Sequence, residues 1–213
     1  MRTSTKRRKP GRPRSFDTDR VFSKARDTFW ERGFSGTSLD ELSAATGLQR
    51  PSLYGAFGDK ATLFESITER YGASSAAALE RTLDQHDSLR AALQAVYEGA
   101  IAFYTQADSA RGCFLISAAL VEAPQNERAR AIAAQTFTSF DRLFAKRFRT
   151  ARARGQLPAH ADDQALSRLA TASLHSLAVR ARAGASRSSL RQLSAAAVDM
   201  LCGPAGASRP SQR

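Results

Sequence analysis

The chain reads as all-α, with a small helix-turn-helix unit followed by a larger helical body. Three observations predict this class: alanine is abundant, β-branched runs are missing, and Gly and Pro are few within the periodic stretches. Apolar residues recur instead at three- and four-residue spacing, the period of an amphipathic helix. Hydrophobic residues make up 42% of 213, enough for one good core plus a small domain or one elongated helical body.

Taken in order, residues 1–15 are polar, basic and punctuated by Pro and Gly, the composition of an arm that does not fold alone. Asp17 suits the N-cap of a first helix, with Phe16 stapled onto Val21. Val21, Phe22, Ala25, Phe29 and Trp30 form that helix's apolar stripe, and Trp30 reads as a core residue.

The stretch Thr37–Lys60 organises the unit. Thr37 suits the N-cap of a short helix carrying Leu39, Leu42 and Ala45 at helical spacing. Gly47 supplies a positive-φ turn, and Leu48 folds back on the first helix of the pair. Arg50 and Pro51 open a second helix, where a first-turn proline gives up no hydrogen bond. Leu53 and Phe57 face inward, and Arg50, Ser52, Tyr54 and Gly55 face out. Two short helices joined by a tight glycine turn, the second with a polar outer face, suit a major groove.

Asp59 caps the next helix, with Leu63, Phe64 and Ile67 facing the small core, and the helix runs past Tyr71 through the Ala73–Leu83 stretch as a rigid connector. Beyond Ser88 come helices marked by Leu89, Leu93, Val96, Tyr97, Ile101 and Tyr104, then a Gln106–Gly112 turn. A short apolar Cys113–Ala123 segment, expected to be buried on all sides, is stopped by Pro124. Asn126–Arg154 is a long helix with Ile132, Phe137, Phe140, Phe144 and Phe148 in a stripe and a basic outer face. Asp162–Ala183 and Ser186–Cys202 form a last pair joined at Gly184. The expected division is an arm at 1–15, a helix-turn-helix unit at 16–71, a helical body at 72–203 and a frayed tail at 204–213.

Charge points to an anionic partner, nucleic acid or a membrane surface. The formal net charge is +12, and residues 1–14 alone carry seven basic side chains and no acidic one. Within that arm, Arg7 and Arg8 are placed to meet phosphates. Arg12 and Arg14 of the Gly11–Arg14 stretch suit insertion into a narrow minor groove. Two distant cysteines, no secretory h-region and no apolar run of membrane-spanning length predict a soluble, cytoplasmic protein without disulfides. No Gly-rich phosphate loop, no H-E-x-x-H and no paired carboxylates on a shared apolar face appear. The chain is therefore not expected to be an enzyme, nor to hold a metal or cofactor.

The run from Phe16 to Tyr71, in its FWERGFSGTSLDELSAATGL and RPSLYGAFGDKATLFESI blocks, resembles the DNA-binding domain of the TetR/AcrR family of bacterial transcriptional regulators. The likeness rests on the aromatic-then-Gly pattern at Trp30–Phe34, Thr37-Ser38, Gly47, Leu53-Tyr54, Phe57, Lys60 and Leu63-Phe64. The resemblance implies a homodimeric repressor of operator DNA, paired through its last two helices and released by a small molecule in the second domain. A constitutive or architectural DNA-binding protein without an inducer is the alternative.

Among the expected DNA contacts, Arg50 is placed to read guanine O6/N7 and Gln49 a base or a phosphate. Thr37, Ser38 and Ser52 can donate to phosphates, Tyr54 looks like the family's phosphate-binding tyrosine, and Pro51 and Gly55 complete the approach surface. Lys60 sits where helix amides and a cation can jointly hold a phosphate. Gly55 and Ala56 stand where some relatives carry larger residues, which leaves more of the recognition to backbone contacts and DNA shape.

For the ligand, Phe103, Tyr104, Phe114, Phe137 and Phe140 can line a cavity or simply fill a core. Cys113 is a small buried hydrophobe or a thiol beside the pocket, and His175 a ligand contact or a satisfied core histidine. The last two helices carry apolar residues on more than one face (Leu166, Leu169, Ala172, Leu174, Leu177 and Ala178, then Leu190, Leu193, Ala197, Met200 and Leu201), the surplus expected of a helix–helix dimer interface.

Overall fold

A computed structural model describes residues 17–106 and 111–203. The basic arm with Arg7, Arg8, Arg12 and Arg14, the Phe16 staple and the tail beyond Gly203 lie outside them. Among the described residues every regular element is helical: α1 Thr18–Arg32, α2 Leu39–Thr46, α3 Arg50–Phe57, α4 Lys60–Asp84, α5 Leu89–Tyr104, α7 Glu127–Ala153, α8 Asp163–Arg182 and α9 Arg187–Cys202. Between α5 and α7 lies α6, π-helical over Leu115–Ala119 and α-helical over Leu120–Glu122.

Local chemistry sets the helix starts. Asp17, Ser38, Asp59, Ser88, Asn126, Asp162 and Ser186 each accept backbone N–H donors in the first turn of the helix they precede. α1, α2 and α3 close a small core around Val21, Phe29, Leu42, Leu53 and Phe64. α4, of 25 residues and about 37 Å at 1.5 Å per residue, continues from that core into the body and packs along α7.

The body is tied at its far end by polar contacts. Arg147 donates to the carbonyls of His86 (3.0 Å) and Asp87 (2.9 Å) in the α4–α5 turn. Gln156 accepts from Leu89 N–H (2.7 Å) and donates to Asp87 O (3.0 Å). Tyr97 donates to Ala170 O (3.1 Å), fixing α5 against α8.

The segment Cys113–Ala123 is not buried on all sides. Cys113, Phe114, Leu115, Ala118 and Ala119 are buried, but Leu120 and Val121 are exposed. The π-helical turn, in which Leu120 N–H reaches back five residues to Leu115 O, rotates the apolar run so that its end faces outward.

α4 and α7 come close at Gly72, where a Cβ would overlap Thr136 Oγ1. Gly72→Ala is therefore expected to lower stability by about 1–3 kcal/mol, and adding Thr136→Ala to recover most of that loss. Denaturant unfolding of the two single variants and the double variant measures the coupling; additive effects would place the crossing elsewhere.

Candidate nucleic-acid interface and effector cavity

α2 begins with a reciprocal pair. Glu41 N–H donates to Ser38 Oγ (3.2 Å) while Ser38 N–H donates to Glu41 Oε2 (2.8 Å). Ser38, not Thr37, is the N-cap. Thr37 turns its hydroxyl back to Gly33 O (2.6 Å) and is 1% exposed, so it neither caps α2 nor offers a donor to phosphate. The Ser-x-x-Glu spacing of Ser38 and Glu41 was the signal for this start. At the other end of α2, Gly47 adopts φ 74° and ψ 12° and donates to Ser43 O, which turns the chain toward α3.

α3 is attached through its inner side only. Leu53 is fully buried, and Phe57 packs edge-to-face on Phe22 with ring centroids 5.3 Å apart. Gln49, Arg50, Pro51, Tyr54 and Gly55 are exposed, and Ser52 is half-buried. A Cβ on Gly55 would meet nothing within 4 Å, so the helix surface is open there.

Arg50 does not stand free. Its Nε donates to Asp40 Oδ1 (2.7 Å) and its Nη2 to Asp40 Oδ2, a two-point pair from α3 to α2. The hydrogen bonds from Arg50 hold the Asp40 carboxyl below its ordinary pKa. This fork uses the Nε edge and leaves Nη1 with no partner among the described residues. The Nη1 edge is the one that remains for an outside acceptor.

Lys60 is placed differently from the expected phosphate contact. Its ammonium donates to Phe34 O (3.0 Å) and Thr37 O (2.9 Å) and lies 4.2 Å from the Phe34 ring centroid. The lysine folds back to satisfy carbonyls of the α1–α2 turn, because those groups have no helical partner. It therefore holds α4 to the turn, with two of its three donors engaged there.

In the body a cavity of about 400 Å³ lies among α4, α5, α7 and α8. Phe103, Tyr104, Cys113 and Phe140 line it, joined by residues that the sequence did not single out for it, including Arg26, Tyr71, Leu79 and Gly99. Three of the expected ligand residues are elsewhere. Phe114 is fully buried in an aromatic cluster with Trp30, Phe64 and Tyr71. Phe137 and His175 pack on each other, ring centroids 4.3 Å apart, away from the cavity. Burial lowers the His175 pKa, and its Nε2 has no partner among the described residues. Burial pushes the Cys113 thiol up, so it lines the wall as a neutral group, within 3.8 Å of the Tyr71 hydroxyl.

The cavity and the small domain share a joint. Trp30 of α1 donates its indole N–H to Arg111 O (3.0 Å) and Ser117 Oγ (3.1 Å). Glu122, at the end of α6, accepts from the Ser35 hydroxyl (3.2 Å) in the α1–α2 turn. Arg111 pairs with Asp27 (3.2 Å) and Glu31 (2.7 Å) on α1.

Comparisons with known proteins agree with this geometry. The family described as "Bacterial regulatory proteins, tetR family" matches residues 21–67, and "Tetracyclin repressor-like, C-terminal domain" matches residues 90–197. The transcriptional repressor ComR of Escherichia coli K12 is 30% identical over 184 residues, covering 86% of this chain and 88% of that protein. The repressor BdcR of the same organism is 34% identical over 137 residues, 64% of this chain and 68% of that one. Among solved structures, the TetR family regulator CifR, a cysteine mutant complexed with 26-bp operator DNA, superposes with a TM-score of 0.79. It is 33% identical and the match covers 88% of this chain and 98% of that one.

Replacing Lys60 by Met keeps the stem and removes the donors to two partly enclosed carbonyls. The expected cost is about 1–3 kcal/mol, read as a lowered midpoint in thermal unfolding. An unchanged midpoint would show that Lys60 is not holding the turn.

Proposed function

The chain belongs to the tetR family of bacterial regulatory proteins, and on that footing we propose that it is a homodimeric repressor released from operator DNA by a small molecule. The observation that carries the DNA reading is the outer face of α3. Arg50, Ser52, Tyr54 and Gly55 lie together on a helix whose only fully buried side chain is Leu53. An eight-residue rod held from one side can enter a major groove without unfolding its support. Arg50 is the base reader, its Nη1 edge aimed by the Asp40 pair at guanine O6/N7; Tyr54, Ser52, Gln49 and the arm arginines take phosphates. Ser38 contributes there through its place at the α2 start.

The pairing surface is the outer side of α8 and α9. Leu169 is 54% exposed, Val179 51% and Met200 81%, while Leu174, Leu177, Leu190 and Leu201 face the interior. Two such faces, brought together about a two-fold axis, bury the apolar surplus. The effector reading rests on the cavity, whose wall includes Cys113, two residues before α6. An occupant with different affinity for two positions of α6 shifts the angle of the small domain and so the spacing of the two α3 helices. The same cavity weighs against a constitutive DNA-binding protein with a filled interior.

Titration of fluorescent duplexes from the intergenic DNA beside the chain's own gene tests the assignment. Arg50→Ala and Tyr54→Ala are each expected to weaken binding about tenfold, consistent with one strong base contact or one charged-group hydrogen bond. Asp40→Ala is expected to lower the preference for that duplex over unrelated DNA about 3–10-fold, because Arg50 loses its aim and a repelling carboxylate is gone. Unchanged affinity and preference in all three variants would remove α3 as the reading element.

A further inference from the structure

We propose that the effector is an apolar, ring-bearing organic acid whose anionic group is bound by Arg26. This rests on the effector reading above and names the chemistry of that site. Among the described residues lining the cavity, Arg26 carries the one formal charge, and no carboxylate shares the wall. The rest is apolar (Leu79, Val96, Phe103, Phe140) with a few hydroxyl groups. A wall of this kind favours a flat apolar body with a single negative end, since the apolar surface rewards burial and the guanidinium supplies donors to an anion.

Arg26 can turn to such a ligand at low cost. Its Nε and Nη2 donate to Asp27 Oδ1 at 3.2 and 2.9 Å and Nη2 to Ser23 Oγ at 3.4 Å, leaving Nη1 with no partner among the described residues. The same Asp27 oxygen lies 3.2 Å from Arg111 Nη1. When Arg26 moves to a ligand carboxylate, Asp27 keeps a cation beside it, so no charge is stranded. Arg111 in turn keeps Glu31 at 2.7 Å. Arg26 also sits near the Trp30 ring, 5.8 Å from its centroid, on the helix that braces the reading unit. A ligand held by Arg26 therefore touches α1 itself, and not the body alone.

A second feature of the wall is an exposed glycine on α5. Gly99 lies within α5, where glycine weakens a helix, and a Cβ built on it would meet nothing within 4 Å. No neighbour excludes a side chain there, and Gly99 is part of the cavity wall, so a larger residue would reach into that space.

The test uses naphthalene-2-carboxylate and its neutral amide as probes, titrated calorimetrically into the full chain. The native protein should bind the carboxylate about tenfold more tightly than the amide. Arg26→Gln should erase that preference, Arg26→Lys should keep part of it, and Gly99→Leu should weaken both probes. The melting midpoint of each variant confirms that it is folded. Equal affinity for both probes, or a preference that survives Arg26→Gln, overturns the proposal. If such equal binding is still blocked by Gly99→Leu, the cavity stands as an effector site for neutral ligands. Binding of neither probe overturns the acid proposal and, with it, the effector reading.

Discussion

α3 hangs on one fully buried side chain. Leu53 enters the small core, Phe57 leans on Phe22, and the rest of the eight-residue helix faces outward. Such a short helix has no stability of its own in water, so its position is dictated by what surrounds it. Gly47 sets the angle at its start, the Arg50–Asp40 pair ties its first turn to α2, and Gly58 and Asp59 end it and begin α4. A surface that is both exposed and fixed requires this arrangement. Exposure leaves few contacts available, so each of those few carries a large share of the placement.

The same economy governs the joint between the two units. Phe29, Phe34 and Phe64 pack on one another, Phe64 meets Phe114, and Phe114 meets Trp30 and Tyr71, with neighbouring ring centroids 5.1–6.1 Å apart. Aromatic pairs of this kind add about 0.5–1.5 kcal/mol each beyond their buried area. The two units thus share one continuous core. Directional polar bonds from Trp30 and Ser35 to the 111–122 segment fix their register. Because Tyr71 and Cys113 belong both to that joint and to the cavity wall, a change in the cavity meets the small N-terminal unit within one layer of side chains.

Much of this was legible in the sequence because it is local. Asp17 and Asp59 cap the helices that they precede, helices begin beside Ser88 and Asn126, the glycine turn at 47 is where the pattern put it, and Leu53 is buried. What escaped depends on contacts between distant residues or on one-residue choices. Thr37 and Ser38 are both good caps, and Glu41 decides between them. Lys60 satisfies carbonyls 23 and 26 residues away, and Asp40 meets Arg50 across the turn, neither of which helical spacing reveals. In the body, Phe137, Phe140 and Phe144 share a stripe, but only the packing of α8 decides that Phe140 reaches the cavity while Phe137 meets His175. No helix among the described residues is long and apolar enough to cross a membrane.

The most direct measurement is selection of binding sites from a pool of random duplexes by the full chain at moderate salt. A two-fold symmetric sequence should be enriched, with half-site centres about one helical turn apart or a small multiple of it. Guanines should recur at the same place in each half, under Arg50. A pool that shows no enrichment, with binding that depends on salt alone, would contradict the reading of α3 as a paired groove-reading helix.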